Sequence, residues 1–245
     1  MDEILKAQME AAEKRWLGGW KLGPQRTRWT STPLQVGDAA PSFTFPDATG
    51  RMLALDSFWK DRPALLLFWR HFGCSCGIDR SRKLREEHPH YLALGANVVI
   101  IGQGEPERAT AYAVRYGLPP TPILCDTEAR AFEAYGLLEG RPSQILFDAP
   151  EALLDRDLQA GLDFMASRRE EGRPLVDSPW LLPGEFVIDT AGKVLLAYRY
   201  NYCEDFPDPR VLYAALRHAG KEDPHPNPPP ARRERPTGLL REGEG

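Results

Sequence analysis

The stretch LLLFWRHFGCSCGIDRSRKL, residues 65–84, decides the fold of this chain. It opens with a continuous apolar run, which is typical of a β-strand covered on both faces. Two cysteines, Cys74 and Cys76, follow a short aromatic and basic turn, and the segment from Cys76 to about His88 is a candidate helix. The stretch therefore predicts a strand, a turn and a helix whose N-terminus carries thiols at the carboxyl edge of a sheet.

The rest of the chain continues this alternation of strand and helix. The remaining predicted elements are buried strands at 97–103 and 122–126, helices beginning at Pro106 and spanning 127–137, a hairpin over 185–201 and a final helix opened by Pro209. Apolar periodicity, turn residues and capping residues support each of them. This order predicts an α/β protein in which a central sheet has helices on both faces.

The chain divides into a main domain with an extension at each end. We predict a polar helix and lead-in over residues 1–33, one domain over 34–220, and a disordered tail over 221–245 that is rich in proline and charge. Residues 149–182 interrupt the simple alternation as an insert before the hairpin. Apolar residues at helical spacing predict one further helix across residues 151–170 of this insert.

Composition excludes several classes of partner. The 245 residues are 42% hydrophobic and 27% charged, as in ordinary globular proteins, and the net charge is −4. We therefore expect no nucleic-acid or membrane partner, and no apolar run approaches the roughly 18 residues of a membrane span. The N-terminus lacks the apolar region of a secretory signal. Four cysteines are too few for a disulfide scaffold, so we expect a reducing, cytoplasmic location.

The setting predicted for Cys74 favours a reactive thiolate. A helix N-terminus stabilises negative charge through its dipole, and Arg70, His71 and Arg80 lie close in sequence. Such surroundings lower the pKa of a cysteine from about 8.5 into a range of roughly 3.5 to 7.5. The thiolate attacks disulfides and hydroperoxides, so Cys74 is the candidate nucleophile.

The partner of Cys74 stays open at this point. Cys76 is two residues away, and helical residues two apart do not share a face, so a bond between the two cysteines needs a turn. A strained disulfide is also more easily reduced. Cys76, Cys125, Cys203 or an external thiol are therefore all candidates for resolving an oxidised Cys74.

Further motifs resemble a known superfamily. They are VGDAAPSFTFPDATGRMLALDSFW (36–59), PILCDTEARAFEAYGL (122–137) and LPGEFVIDTAGKVLLAYR (182–199). With the cysteine stretch they resemble the peroxiredoxins and thiol-disulfide reductases of the alkyl hydroperoxide reductase and thiol-specific antioxidant superfamily. RHFGC (70–74) and the insert resemble the branch that includes prostamide/prostaglandin F synthase. The resemblance implies a thioredoxin-like fold, with a central mixed β-sheet, helices on both faces and an extra helix before the final hairpin.

The chain departs from the family patterns at the thiol site. The resembling branch carries Cys-x-x-Cys, whose first position is Cys74 here and whose second is Gly77. Standard peroxiredoxins have a threonine where this chain has His71, and an arginine before the hairpin strand where it has Pro183. Pro183 instead resembles the cis-proline of thioredoxins, and Arg70 is the nearest stand-in for the missing arginine. The site therefore leans toward thiol–disulfide exchange.

The leading hypothesis is a thiol-dependent oxidoreductase. Its candidate site residues are Cys74, Cys76, Arg70, His71 and Pro183. The resemblance implies a peroxide or disulfide substrate and a thioredoxin-like or low-molecular-weight thiol as reductant, and a homodimer is a further expectation. No flavin, nicotinamide or metal cofactor is expected, because the chain lacks the glycine-rich nucleotide-binding motifs.

Two alternatives come from other classes of protein. His71, Cys74 and Cys76 supply an imidazole and two thiolates, a soft ligand set suited to Cu(I) or Zn²⁺. A non-catalytic binding module that keeps the fold and has lost turnover is the second alternative, motivated by the irregular cysteine spacing.

Overall fold

The structure, a computed structural model, describes residues 3–73 and 75–219. The predicted tail over 221–245 and the candidate nucleophile Cys74 lie outside the described residues. No helix in the described ranges combines the length and the hydropathy that crossing a membrane requires.

Secondary structure follows the predicted alternation. The strands are β1 (Thr44–Pro46), β2 (Met52–Ala54), β3 (Ala64–Phe68), β4 (Asn97–Gly102), β5 (Ile123–Cys125), β6 (Gly184–Ile188) and β7 (Val194–Arg199). The helices are α1 (Glu3–Leu22), α2 (Ser75–Ala93), α3 (Pro106–Tyr116), α4 (Arg130–Ala134), α5 (Pro142–Ile145), α6 (Glu151–Leu154), α7 (Leu158–Glu170) and α8 (Pro209–Ala219). A short 3-10 helix spans Leu55–Phe58.

Five strands form one mixed sheet in the order β5-β4-β3-β6-β7. The central strand β3 runs parallel to β4 and antiparallel to β6, and β6 pairs with β7 in the predicted hairpin. Strands β1 and β2 form a separate antiparallel pair. The central mixed sheet that the sequence predicts is confirmed.

Strand β3 separates two layers of the core. Leu66 and Phe68 pack in the layer that contains Phe132 of α4. Leu65 and Leu67 point the other way, into the layer that contains side chains of α2, α3 and α8. All five residues of β3 are buried, which explains why the sequence shows an apolar run and no alternation.

Helix α2 is longer than the sequence predicts. It runs to Ala93 and carries Pro89 inside, whereas the predicted end was near His88. Proline normally disrupts a helix interior because it lacks an N–H and crowds the preceding turn. Tyr91 lies beyond it, is fully buried, and donates a 2.8 Å hydrogen bond to Glu87, so tertiary packing carries the helix past the proline.

The insert holds two helices where the sequence predicts one across 151–170, so that prediction was wrong. Helices α6 and α7 are separated by a turn in which Arg156 has a φ of 63°. Asp157 caps α7, because its side chain accepts a hydrogen bond from the Ala160 N–H at 2.9 Å. An N-cap carboxylate stabilises a new helix start, which the apolar spacing did not reveal.

Tryptophans join α1 to the insert. The Trp16 and Trp20 rings stack at 5.1 Å between centroids, and the Trp20 and Trp180 rings stack at 5.2 Å. The Trp180 indole N–H also donates to the Gly19 carbonyl at 2.7 Å. This cluster fixes the N-terminal helix and the end of the insert as one packed unit.

Candidate active site

Four of the five predicted site residues line one small cavity at the carboxyl end of β3. Arg70 and His71 follow that strand, Cys76 lies in the first turn of α2, and Pro183 precedes β6. Because Phe68 pairs with Gly184 across the β3–β6 ladder, Pro183 lies beside the chain that leaves β3. The cavity has a volume of ≈ 20 Å³, room for about one water molecule.

Pro183 does not have the peptide geometry that the resemblance implies. Every peptide bond of the described residues is trans, so a cis-proline at this position was wrong. The Pro183 carbonyl accepts a hydrogen bond from the Tyr200 N–H at 3.1 Å. This bond adds one hydrogen bond to the ladder between β6 and β7. Pro183 is therefore the residue that directly precedes a regular strand.

Arg70 binds the end of the insert. Its Nε donates to the Leu181 carbonyl at 2.8 Å, and its Nη2 donates to the Pro179 carbonyl. Gln103 donates in turn to the Arg70 carbonyl. These contacts position the returning insert over the sheet edge, and the role of Arg70 in supporting a thiolate stays a prediction.

Arg80 lies in a buried ion-pair network beside the cavity. Its Nε donates to Glu185 Oε1 and its Nη1 to Glu87 Oε2, both at 2.8 Å. The Tyr200 hydroxyl donates to the same Glu185 oxygen at 2.6 Å. Burial lowers the pKa of Arg80, but the carboxylates outweigh it and hold the pKa well above its ordinary value. Two carboxylates therefore pair with this guanidinium, and a contribution of Arg80 to the charge around the Cys74 thiol stays a prediction.

Sequence reasoning named Cys203 only as one of several open candidates for the second thiol, and it missed Tyr200 and Glu185. Cys203 is buried and lines the same cavity as Cys76. Tyr200 lines it as well, and Glu185 binds Tyr200 and Arg80 behind it. The hairpin register offers a signal, because Arg199 pairs with Gly184 and the residues that follow must lie beside Pro183.

Cys125 is not part of the site. It ends β5 and packs in the core layer of α2, α3 and α8. Burial raises the pKa of its thiol to about 12. A thiol with such a pKa is almost wholly protonated at neutral pH, which makes Cys125 a poor nucleophile.

Metal binding through His71, Cys74 and Cys76 stays untested. Across residues 3–73 and 75–219, no group of three or more His, Cys, Asp or Glu side chains has an arrangement that could hold a metal ion. His71 and Cys76 do line the same cavity, but the third member of the predicted set lies outside the described residues.

A buried ion pair fastens the insert next to residues 69–73, the thiol loop, which lead from β3 towards Cys74. Asp177 accepts hydrogen bonds from Arg108 Nη1 at 2.8 Å and Arg108 Nη2 at 2.5 Å, and from Arg15 at 3.1 Å. Burial raises the pKa of Asp177, but hydrogen bonds and charge from Arg108 outweigh this, so the pKa is lowered. The Asp177 carboxylate is therefore charged in the folded protein at neutral pH.

Replacing Asp177 with asparagine is expected to lower the free energy of unfolding by about 3 kcal/mol, because the buried Arg108 then keeps only the more exposed Glu105 as its counter-charge. A carboxyl group whose pKa is lowered by folding stabilises the folded state at pH values above its unfolded pKa, which is about 3.9 for aspartate. This stabilisation is lost as the pH falls through the pKa of the folded state. The difference between wild type and Asp177→Asn should therefore be full at pH 7 and shrink below about pH 4. Urea unfolding at both pH values measures it.

Asp163→Asn supplies the matched control for this prediction. Asp163 lies exposed on α7 of the same insert and accepts a hydrogen bond from Gln159 at 2.8 Å. We expect its replacement to leave unfolding almost unchanged. Equal losses in Asp163→Asn and Asp177→Asn would contradict the assignment of stability to the buried pair.

Gly73 lets the insert approach the thiol loop closely. A Cβ built on Gly73 would lie 2.2 Å from the Pro174 carbonyl oxygen, far inside van der Waals contact. Both the Cα that would carry this Cβ and the Pro174 carbonyl belong to the backbone, so neither can move out of the contact as the end of a flexible side chain could. Only glycine fits here without moving the loop that leads into Cys74.

Gly73→Ala is expected to lower thiol reactivity of the folded protein, because the added methyl displaces the loop or the insert. We expect the rate of reaction with H₂O₂ to fall at least tenfold, since small misplacements of reacting groups have large kinetic effects. Stopped-flow fluorescence measures the rate. Gly18→Ala is the control, because a Cβ there meets nothing within 4 Å. An unchanged rate in Gly73→Ala would show that the close contact has no role in positioning.

A larger cavity opens beside the same loop. It has a volume of ≈ 340 Å³, and its walls include Phe72, Gly73, Tyr112, Tyr116 and Pro174. These walls are mostly apolar, and they lead to the residue that precedes Cys74 in the sequence.

The fold and the site together define the class of protein. A mixed five-stranded sheet, with a thiol-bearing helix after its central strand and a returning hairpin beside it, is a thioredoxin-like architecture. Residues 36–197 match the sequence profile of the AhpC/TSA family, which is more than half of the chain. The chain belongs to the AhpC/TSA family, and the resemblance found in the sequence is confirmed.

Curated relatives match a shared part of the chain. A chloroplast thioredoxin-like protein of Arabidopsis thaliana is 35% identical over 105 residues, which cover 43% of this chain and 42% of that protein. Chloroplast peroxiredoxin Q of Populus jackii is 30% identical over 120 residues, covering 46% and 55%. The thiol-disulfide oxidoreductase ResA of Geobacillus thermodenitrificans is 29% identical over 107 residues, covering 43% and 60%. The chain thus spans about half the length of these relatives.

Solved structures of low identity share the fold. The peroxidoxin BcpB of Mycobacterium tuberculosis aligns with a TM-score of 0.52 at 19% identity, over 76% of this chain and 97% of that one. A peroxiredoxin-like protein of Aquifex aeolicus aligns with a TM-score of 0.54 at 15% identity, over 77% and 90%. At these identities the alignments establish the thioredoxin-like fold.

Proposed function

We propose that this protein is a thiol-dependent oxidoreductase in which Cys74 is the nucleophile and a peroxide or a disulfide is the oxidising substrate. The observation that carries the proposal is the convergence of Arg70, His71, Cys76 and Pro183 on one cavity at the carboxyl end of β3. Membership of the AhpC/TSA family supports the same chemistry.

The proposed reaction begins at the Cys74 thiolate. With a peroxide, the sulfur attacks one oxygen, the O–O bond breaks, and a sulfenic acid forms while the other oxygen leaves as water or an alcohol. With a disulfide, the sulfur attacks one sulfur atom and expels the other as a thiolate. In both cases the Cys76 thiol then attacks Cys74, and water or the second thiol leaves.

The reductant and the compartment are part of the proposal. A thioredoxin-like protein or a low-molecular-weight thiol would reduce the oxidised enzyme by disulfide exchange. We also propose a reducing location such as the cytoplasm, because the chain carries only four cysteines.

Turnover by the full-length chain tests the proposal. We expect the purified, reduced protein to consume H₂O₂ or a small disulfide catalytically when dithiothreitol is the donor. The control is the same protein after complete alkylation with N-ethylmaleimide, which should show only the uncatalysed rate. Equal rates for the reduced and alkylated protein with both oxidants would overturn the proposed function and favour a binding module.

The two oxidants also separate the two branches of the proposed activity. A family peroxidase would consume H₂O₂ faster than the disulfide. The absence of the threonine and arginine features instead favours disulfide exchange. Comparing the two second-order rate constants at one pH decides between them.

A further inference from the structure

Cys76 and Cys203 lie on the wall of the same small cavity. Cys76 belongs to the first turn of α2, and Cys203 lies in the loop between β7 and α8, more than a hundred residues later. Both are buried. The cavity that both residues line has a volume of only ≈ 20 Å³.

The loop that carries Cys203 is held in place from two sides. The Cys203 N–H donates to the Gln144 carbonyl at 3.0 Å, and its thiol contacts the Ile145 carbonyl at 3.5 Å. Asp205 accepts hydrogen bonds from the backbone and side-chain nitrogens of Asn201, each at 2.9 Å. These contacts fix the position of the loop that carries Cys203.

A disulfide between Cys74 and Cys76 would be a poor resting state. Cys76 lies in the first turn of α2, and Cys74 stands only two residues before it in the sequence. A disulfide between two cysteines so close in sequence needs a turn, which the helical backbone at Cys76 does not supply. Strained disulfides have more oxidising potentials and exchange readily with a nearby thiol.

We propose that Cys203 is a third redox thiol, which takes over the disulfide from the Cys74–Cys76 pair and forms a Cys76–Cys203 bond. This inference rests on the proposed function, in which a peroxide oxidises Cys74 and Cys76 then closes the Cys74–Cys76 disulfide with loss of water. In the added step the Cys203 sulfur attacks the Cys76 sulfur. The Cys76–Cys203 bond forms and the Cys74–Cys76 bond breaks.

The electrons and the proton balance in this step. The disulfide is transferred and no further oxidant is consumed, and the proton that leaves the Cys203 thiol is taken up by the released Cys74 thiolate. His71 lines the cavity, and an imidazole can carry that proton near neutral pH. Cys74 is thereby restored while the oxidising equivalents are stored as a Cys76–Cys203 disulfide.

Peptide mapping of the oxidised full-length chain tests the inference. Trypsin cleavage after Arg70 and Arg80 places Cys74 and Cys76 in peptide 71–80, and cleavage after Arg199 and Arg210 places Cys203 in peptide 200–210. The protein is treated with one equivalent of H₂O₂, quenched with acidic N-ethylmaleimide and digested. We expect the two peptides to be linked, with N-ethylmaleimide on Cys74.

The possible outcomes separate this inference from the proposed function. A Cys74–Cys76 bond within peptide 71–80, a Cys74–Cys203 bond, or a persistent sulfenic acid would each overturn the inference and leave the proposed function intact. Unreacted thiols together with unconsumed H₂O₂ would overturn the inference and the peroxidase branch of the proposed function. The proposed function itself is overturned if a small disulfide also leaves all the thiols unreacted.

Two variants sharpen the result. Cys203→Ser should lose the link between the peptides and accumulate the Cys74–Cys76 disulfide. Cys125→Ala should keep the link at the wild-type yield, because Cys125 lies in the core away from the cavity. The wild-type map decides the question even if Cys203→Ser does not fold, and an undiminished link in a folded Cys203→Ser protein would show that the peptide assignment is wrong.

Discussion

Replacing Cys74 with serine is expected to reduce thiol-dependent turnover of peroxide or disulfide to the uncatalysed rate, a loss on the order of 1000-fold or more. Serine keeps the size of the side chain but supplies no thiolate at neutral pH, and removing a nucleophile removes the covalent step that depends on it. Coupled consumption of the oxidant with dithiothreitol as donor measures the loss.

Cys125→Ala is the matched control for this variant. Its thiol has a pKa raised to about 12 by burial, so its removal should leave the rate within a factor of about two. Far-UV circular dichroism of both variants checks that they fold. Full activity of a folded Cys74→Ser protein would contradict the role of Cys74, and activity lost in both variants would point to a shared effect on folding.

Replacing Arg80 with methionine should lower the free energy of unfolding by about 3 to 5 kcal/mol at pH 7. Arg80 and Glu185 are both almost fully buried, and Arg80 also binds Glu87. Removing the guanidinium leaves two carboxylates with no cation between them. Guanidinium chloride unfolding measures the change.

Arg82→Met on the same helix is the control for Arg80→Met. Arg82 pairs with Asp79 at 3.0 Å on the exposed surface, where an ion pair contributes little, so its replacement should have almost no effect. The double variant Arg80→Met/Glu185→Met should be more stable than Arg80→Met alone, because no unpaired carboxylate is left at Glu185. A double variant that is less stable than the single one would contradict this account of the network.

The deficit of Arg80→Met should also depend on pH. A buried carboxyl group without its partner has a raised pKa in the folded state. Such a group lowers the free energy of unfolding as the pH rises above its unfolded-state pKa, which is about 4.3 for glutamate. The deficit should therefore be smaller near pH 5 than at pH 7. A deficit independent of pH would assign the loss to packing of the arginine side chain.

Much of the fold could be predicted from local patterns. The apolar run of β3, the end of α4 just before Gly136, and the turn between β6 and β7 are decided by residues close in sequence. The exceptions are instructive. Helix α2 continues beyond Pro89 because Tyr91 is buried in the core. A second helix begins within the insert because the Asp157 side chain caps its N-terminus. In both places a side-chain contact set the helix bound, and the spacing of apolar residues did not predict it.

The residues of the candidate site also fall into two groups, those that a local sequence motif indicates and those that only the folded chain brings together. Arg70, His71 and Cys76 are neighbours in sequence, so a single motif could point to all three. Cys203, Tyr200 and Glu185 join them only through the antiparallel pairing of β6 with β3 and β7. Nothing in the local sequence around Cys203 reveals that pairing, because its register depends on which faces of the two strands are buried.

The sequence by itself determined the order along the chain of the five strands of the central sheet, the place of the candidate thiol after the central strand, and the family. It could do so because apolar periodicity, capping and turn chemistry act over a few residues. Only the tertiary structure decided that Arg80 is offset by Glu87 and Glu185, that Asp177 fastens the insert, and that Cys203 shares a cavity with Cys76. These features depend on side chains brought together from distant strands and loops, where burial sets which charges pair and which thiols meet.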